Sequence, residues 1–196
     1  MARGDALPGT DIDLRFILVD GASRPFDSRS RNGILVERTY ADARAERAKL
    51  ETHPMNIYAH LDGRVLHDPH GVLASLKKQA QECFDGYEIS PEQRDEIAWL
   101  MGCSRDKIRV ALAAGDLLKA AFATGTTSWP LMEGLWAANN RPLPPNSSVR
   151  PHLRDLTVGP PDIEEKYRQL FLSETPHRVQ IALDLLDWII GRLQTP

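Results

Sequence analysis

Four of the six histidines, His53, His60, His67 and His70, fall within eighteen residues, and Asp62 and Asp68 lie among them. Imidazole is the commonest protein ligand for zinc-like metals. Asp62-Gly63 separates two short apolar-rich runs, NIYAH and RVLH, and Asp-Gly in that setting is a hairpin signal because both turn positions tolerate positive φ. Such a hairpin would set His60 opposite His67. His60, His67 and His70 are therefore the candidate metal ligands, and a metal-dependent enzyme centred on His53 to His70 is one reading of the chain. The spacing matches no metal-enzyme motif such as His-Glu-x-x-His. Nor is there a Gly-x-Ser-x-Gly elbow, a Gly-x-x-x-x-Gly-Lys phosphate loop or a Gly-x-Gly-x-x-Gly fingerprint, so no cofactor and no catalytic residue is expected. Cys83 and Cys103 lack Cys-x-x-Cys spacing and read as reduced structural thiols.

The elements that must carry these residues divide the chain at about residue 69. The first portion, 1–69, reads as a small α+β unit: strands over LRFILVD (Leu14 to Asp20) and GILVERTY (Gly33 to Tyr40), a helix over ADARAERAKLE, then the hairpin. Residues 70–196 read as a helical domain, which makes the fold class mainly α with a small N-terminal α+β portion, as one compact body. Val72, Leu73, Leu76, Ala80, Cys83 and Phe84 share one face of a helix, and a further short helix is expected to end at Gly125. Another helix is expected to begin at Pro130. Prolines crowd into residues 141–161, which predicts an extended strap over the surface. The last helix, from Thr175, carries Val179, Ala182, Leu186, Ile189 and Leu193 at three-four spacing, with Ile181, Leu185 and Trp188 beside them. A helix so widely apolar must be covered, either by its own domain or by a second copy in a homodimer. Trp99, Trp129, Trp136 and Trp188 read as core anchors.

Composition narrows the partners. Of the 196 residues, 42% are hydrophobic and 26% charged, ordinary values for a folded soluble protein, and the formal net charge of −3 argues against non-specific coating of nucleic acid. MARGDALPGT has no signal-peptide character, and no run approaches the roughly 20 apolar residues of a membrane span. A cytoplasmic location and no membrane partner are expected.

The segment from Ser90 to Gly115 has the most specific spacing. Ser90, Pro91 and Gln93 form a helix start of the capping-box kind. Ile97, Ala98 and Met101 follow at helical spacing, Gly102 can end a helix, and Ser104 can cap a second one carrying Ile108, Ala111 and Leu112. These residues resemble the helix-turn-helix of bacterial and phage DNA-binding proteins, over about 25 residues. The resemblance implies a turn at Gly102-Cys103-Ser104 and a second helix whose start enters the major groove. Ser104, Arg105, Asp106 and Arg109 would then face bases, with Lys107 nearer phosphate. Cys103 and Ala111 depart from the branched aliphatics usual in that family, and Glu88, Glu92, Asp95 and Glu96 make the approach acidic. The leading expectation is a non-enzymatic protein that binds double-stranded DNA. The alternative is a helical adaptor that meets a protein partner through the strap or the basic N-terminal part.

Overall fold

The computed structural model describes residues 4 and 9–195 and forms two compact units, with the boundary between Gly86 and Tyr87. It is mainly helical, with a small sheet near the N-terminus. Among the described residues no helix is long and apolar enough to cross a membrane.

In the first unit, strands β1 (Ile12–Leu18), β2 (Asp27–Arg31) and β3 (Ile34–Asp42) form a sheet in the order β1-β3-β2. β1 runs parallel to β3, with Asp13 opposite Glu37 and Phe16 opposite Tyr40. β2 and β3 form an antiparallel hairpin, closed by Asn32 and Gly33 at φ 51° and 79°, the conformation an Asn-Gly turn favours. Asp42 ends β3 and caps α1 (Ala43–Thr52): its carboxylate accepts from the Ala45 amide at 2.7 Å and the Gly21 amide at 3.0 Å. Helices α2 (Met55–Leu61) and α3 (Val72–Asp85) complete the unit around buried Leu50, Ile57, Tyr58, Leu76 and Ala80. Tyr58 meets Phe84 edge to face at 5.7 Å.

The hairpin expected at Asp62-Gly63 is corrected here. NIYAH lies within α2, which puts Ile57 and Tyr58 into the core. Asp62 ends that helix, and a Cβ on Gly63 would lie 2.6 Å from the Ala59 carbonyl oxygen. Gly63 thus lets the chain close over a helix end instead of turning between strands.

The second unit is built on three long helices, α4 (Pro91–Ala113), α5 (Leu117–Ala137) and the C-terminal α8 (Thr175–Leu193), with α6 (Asn146–His152) and α7 (Ile163–Leu172) between the last two. Ser90 accepts from the Gln93 amide while the Gln93 side chain accepts from the Ser90 amide, so α4 starts on a complete capping box. It then runs through Gly102, Cys103 and Ser104 without a break. Ile97, Met101, Ile108 and Ala111 keep a single helical phase across the glycine and are all buried, whereas a turn there would throw the second half out of phase. The chain breaks at Gly115, at φ 70°. α5 likewise continues through Gly125 and Pro130, where separate helices were expected.

Gly134 brings α5 close to α8: a Cβ there would stand 2.7 Å from Ile189 Cγ2, and Ile189 is fully buried. Val179, Ala182, Leu186, Ile189 and Leu193 of α8 are all buried within the unit, together with Ile181 and Leu185. The Pro-rich stretch is not wholly extended, since it contains α6 and a single 3-10 turn, Leu153–Asp155. It does wrap the core: Val149 and Leu153 are buried, and Asn139 holds Val158 by accepting from its amide and donating to its carbonyl, at 2.8 and 2.7 Å. Trp136 is buried, whereas Trp99 is 67% exposed because it lies across α4 from Ile97 and Met101.

Candidate metal centre

Side chains alternate between the faces of a strand, so Asp11, just before β1, and Asp13, its second residue, fall on one face. The parallel register places Glu37 of β3 directly beside Asp13, on that same face. One carboxylate oxygen from each of the three lies within 4.8 Å of the others; Asp11 and Asp13 are exposed and Glu37 half-buried. Among the described residues, none of these three side chains has a hydrogen bond or ion pair.

Three of the sheet's four arginines are engaged elsewhere. Arg15, two residues beyond Asp13 on the same face, donates to Glu46 Oε2 at 2.6 Å. Arg38 and Arg29 both pair with Asp27, at 3.0 and 3.1 Å. Three carboxylates thus converge with no ion-pair partner among the described residues, a gathering of like charge that a bound cation would relieve. The donor set is all hard oxygen, suited to Mg²⁺, Mn²⁺ or Ca²⁺ and not to the nitrogen and sulfur preferences of zinc. Three ligands on one open face leave further coordination positions for water or for phosphate oxygens.

The histidines do not assemble a centre. His60 is buried on α2, where its Nε2–H donates to Glu46 Oε2 at 3.2 Å. Burial pushes the Glu46 carboxyl up, but His60, Lys49 and Arg15 outweigh it and hold the group well below the ordinary carboxylate range. His53 pairs through Nδ1 with the Thr52 hydroxyl at 2.8 Å, while His67 and His70 are exposed. Asp68 accepts from the Ala74 amide at 2.9 Å near the start of α3. Among the described residues, the acidic triple is the only group of His, Cys, Asp and Glu that meets the geometry of a metal site.

The expected DNA-reading residues are corrected by the continuous α4. No second helix starts at Ser104, so no recognition helix projects there. Arg105 Nη1 and Arg109 Nη2 both donate to Asp187 of α8, at 3.3 and 2.8 Å, and Arg105 Nε pairs with Asp106 at 3.2 Å. These two cations tie α4 to α8. Ser104 is half-buried and Lys107 exposed.

No family model and no curated protein matches the chain. Among solved structures, a nucleotidyltransferase-like protein from Exiguobacterium sibiricum 255-15 is similar at 17% identity with a TM-score of 0.46, over 91% of this chain. The chain spans 61% of that protein's length. A likeness this remote carries no argument about activity. The expectation of a non-enzymatic helix-turn-helix protein is withdrawn on the unbroken α4 and the pairing of Arg105 and Arg109 with Asp187.

Sequence reasoning passed over the carboxylate triple. Asp11-x-Asp13 at the mouth of an apolar strand was the available signal. The third member depends on how β1 and β3 pair, and a parallel register between strands separated by a hairpin strand cannot be read from spacing.

Proposed function

We propose that the chain uses Asp11, Asp13 and Glu37 to hold a divalent cation for phosphoryl transfer, of the kind that moves a nucleotidyl group. The observation that supports this reading is the convergence across the β1–β3 register of three carboxylates that have no ion-pair partner among the described residues. Magnesium sites in phosphoryl-transfer proteins commonly use a few carboxylates and leave the remaining positions to substrate phosphates, whereas a resident calcium site surrounds its ion with six to eight oxygens. When bound, the cation would neutralise the phosphate oxygens. The chain's own part is to fix three carboxylates on a rigid sheet face and to keep Arg15 and Arg38 turned to other partners. In nucleotidyl transfer, an acceptor hydroxyl attacks the α-phosphorus, the bond from that phosphorus to the bridging oxygen breaks, and pyrophosphate leaves with the electron pair. The hydroxyl proton passes to a neighbouring carboxylate or to water.

Titration of the protein with Mn²⁺, read by the loss of the free-ion electron paramagnetic resonance signal, tests the site. One bound ion per chain is expected, weakened about tenfold or more in Asp13→Asn and in Glu37→Gln, the size of losing one charged ligand interaction. Unchanged binding in both variants would sink the proposal. Nucleoside triphosphates labelled separately at the α- and γ-phosphorus then distinguish nucleotidyl from phosphoryl transfer, by whether pyrophosphate or the diphosphate is released.

A further inference from the structure

The outward face of α5 carries an apolar seam that the chain itself leaves open. Leu118, Phe122, Gly125 and Trp129 follow one another at spacings of four, three and four, the repeat that keeps one line of a helix turned to a partner helix. Leu118 is 82% exposed, Phe122 72% and Trp129 38%, while Ala120, Thr124, Thr127 and Leu131 on the opposite face are buried. A Cβ on Gly125 would meet nothing within 4 Å beyond its chain neighbours and the helix's own backbone, and its φ is not positive. Nothing inside this chain therefore calls for glycine in the middle of α5, where it weakens a helix. The three-four seam of α8, in contrast, is buried within the unit.

The hydroxyls beside the seam are already satisfied. Thr126 donates to the Ala123 carbonyl at 3.0 Å and Ser128 to the Gly125 carbonyl at 2.8 Å, so this surface can lose water without leaving a donor unpaired. The only charged residues of α5 are Lys119 and Glu133, and neither side chain has an ion pair among the described residues. They stand fourteen residues apart, close to four turns, and so lie on one flank of the seam. Their midpoint is Thr126, and the midpoint of Phe122 and Trp129 falls between Gly125 and Thr126. Two copies of α5 laid antiparallel about a two-fold axis at that point set Lys119 of each copy opposite the partner's Glu133, and Phe122 opposite the partner's Trp129. Glycine at the crossing lets the two backbones approach. A lipid surface suits this face less well, because a helix lying on a membrane carries several Lys and Arg along its flanks, and α5 has Lys119 alone.

We propose that a second copy of this chain covers the seam, in a two-fold dimer whose α5 helices cross antiparallel at Gly125 and Thr126, with Lys119 of each copy paired to the partner's Glu133. One helix face is a small interface, at the low end for specific complexes, so the dimer forms reversibly with concentration. The proposal uses no residue of the carboxylate triple, so either can fail alone.

Sedimentation velocity of the full chain, from micromolar to submillimolar concentration, tests it. Monomers are expected to give way to dimers across that range. Gly125→Leu places a side chain in open space on the single chain and holds two helices apart at the crossing. Its melting temperature, measured where parent and variant are both monomeric, should be no lower than the parent's, and its dimer should be weakened about tenfold or more. General stickiness of an apolar face would instead be increased by the added leucine. Lys119→Glu and Glu133→Lys each create two like-charge pairs by symmetry and should each weaken the dimer about tenfold. The double variant Lys119→Glu/Glu133→Lys restores both pairs with their signs exchanged and should return to within about threefold of the parent. The proposal is overturned if the parent stays monomeric at submillimolar concentration, if Gly125→Leu dimerises as tightly as the parent or more so, or if the double variant is no tighter than the single ones. It is also overturned if the chain binds phosphatidylcholine–phosphatidylserine vesicles and Phe122→Ser abolishes that binding, which would assign the seam to lipid.

Discussion

Glu46 shows how one residue can be central to a unit without being its chemistry. Its side chain is 2% exposed, yet it remains a carboxylate, because Arg15, Lys49 and His60 donate to it from a strand, its own helix and the next helix. An ion in that position is stable only while all its partners are present. Arg15 and Lys49 keep part of their surface in water, which moderates the cost of removing the acid. Glu46→Gln is expected to destabilise the chain at neutral pH by about 1–3 kcal/mol, the range for losing hydrogen bonds to a charged group. The pH dependence has a definite sign. The folded state holds this carboxyl below its ordinary value of 4.5, so on acidification the unfolded chain takes up the proton first. The stabilisation is full above pH 4.5 and is lost as the pH falls from there toward the folded value. Urea midpoints measured from neutral pH down through this window should show parent and variant converging; a gap that stays constant would mean the charge is not what stabilises. The same residue explains why the histidine cluster misled. Nothing in the spacing of His53, His60, His67 and His70 reveals that His60 turns inward to an acid fourteen positions earlier.

At the scale of elements, Gly102 separates two readings of one stretch of sequence. A helix-turn-helix needs it as a turn, whereas the structure holds it in mid-helix, where a Cβ would meet nothing within 4 Å beyond its chain neighbours and the helix's own backbone. Gly102→Ala is therefore expected to stabilise the chain by about 0.5–1 kcal/mol, the difference between glycine and alanine inside a helix. A fall in melting temperature would return the turn to this segment. The capping box at Ser90 and the strands around Phe16 and Val36 were legible because each rests on local chemistry or on alternation over a few residues. Continuity through Gly102, Gly125 and Pro130 was less so, since isolated breakers inside a helix are tolerated when buried faces on both sides share one phase. That phase was present in Ile97, Met101, Ile108 and Ala111 and outweighs the glycine. β2 was missed because DSRSR carries no apolar alternation; its signal was the Asn32-Gly33 turn that follows, paired with the strand beyond it.

For the whole molecule, the distribution of buried residues assigns stability unequally. The second unit has one continuous core, running from Ile97 and Met101 through Leu131, Leu135 and Trp136 to Leu185, Leu186 and Ile189. The first unit's core cluster rests on Leu50, Ile57 and Ala80, with Leu61, Cys83 and Phe84 packed against it, and its sheet leaves Phe16 and Leu35 each 41% exposed. A unit as small as the first buries only about 60% of its unfolded surface, so a thin core leaves little margin. A fragment of residues 87–195 is expected to melt cooperatively on its own, while a fragment of residues 9–86 should be marginal. If the acidic triple binds a divalent cation, that ion attaches only where β1 and β3 are paired, and binding to the folded state alone raises stability by mass action. Adding Mn²⁺ should then raise the melting temperature of the 9–86 fragment and leave that of the 87–195 fragment unmoved, with Asp13→Asn removing the difference. Equal shifts in both fragments would place the ion's effect outside the strand register, and would leave the three carboxylates as an exposed acidic edge with no task.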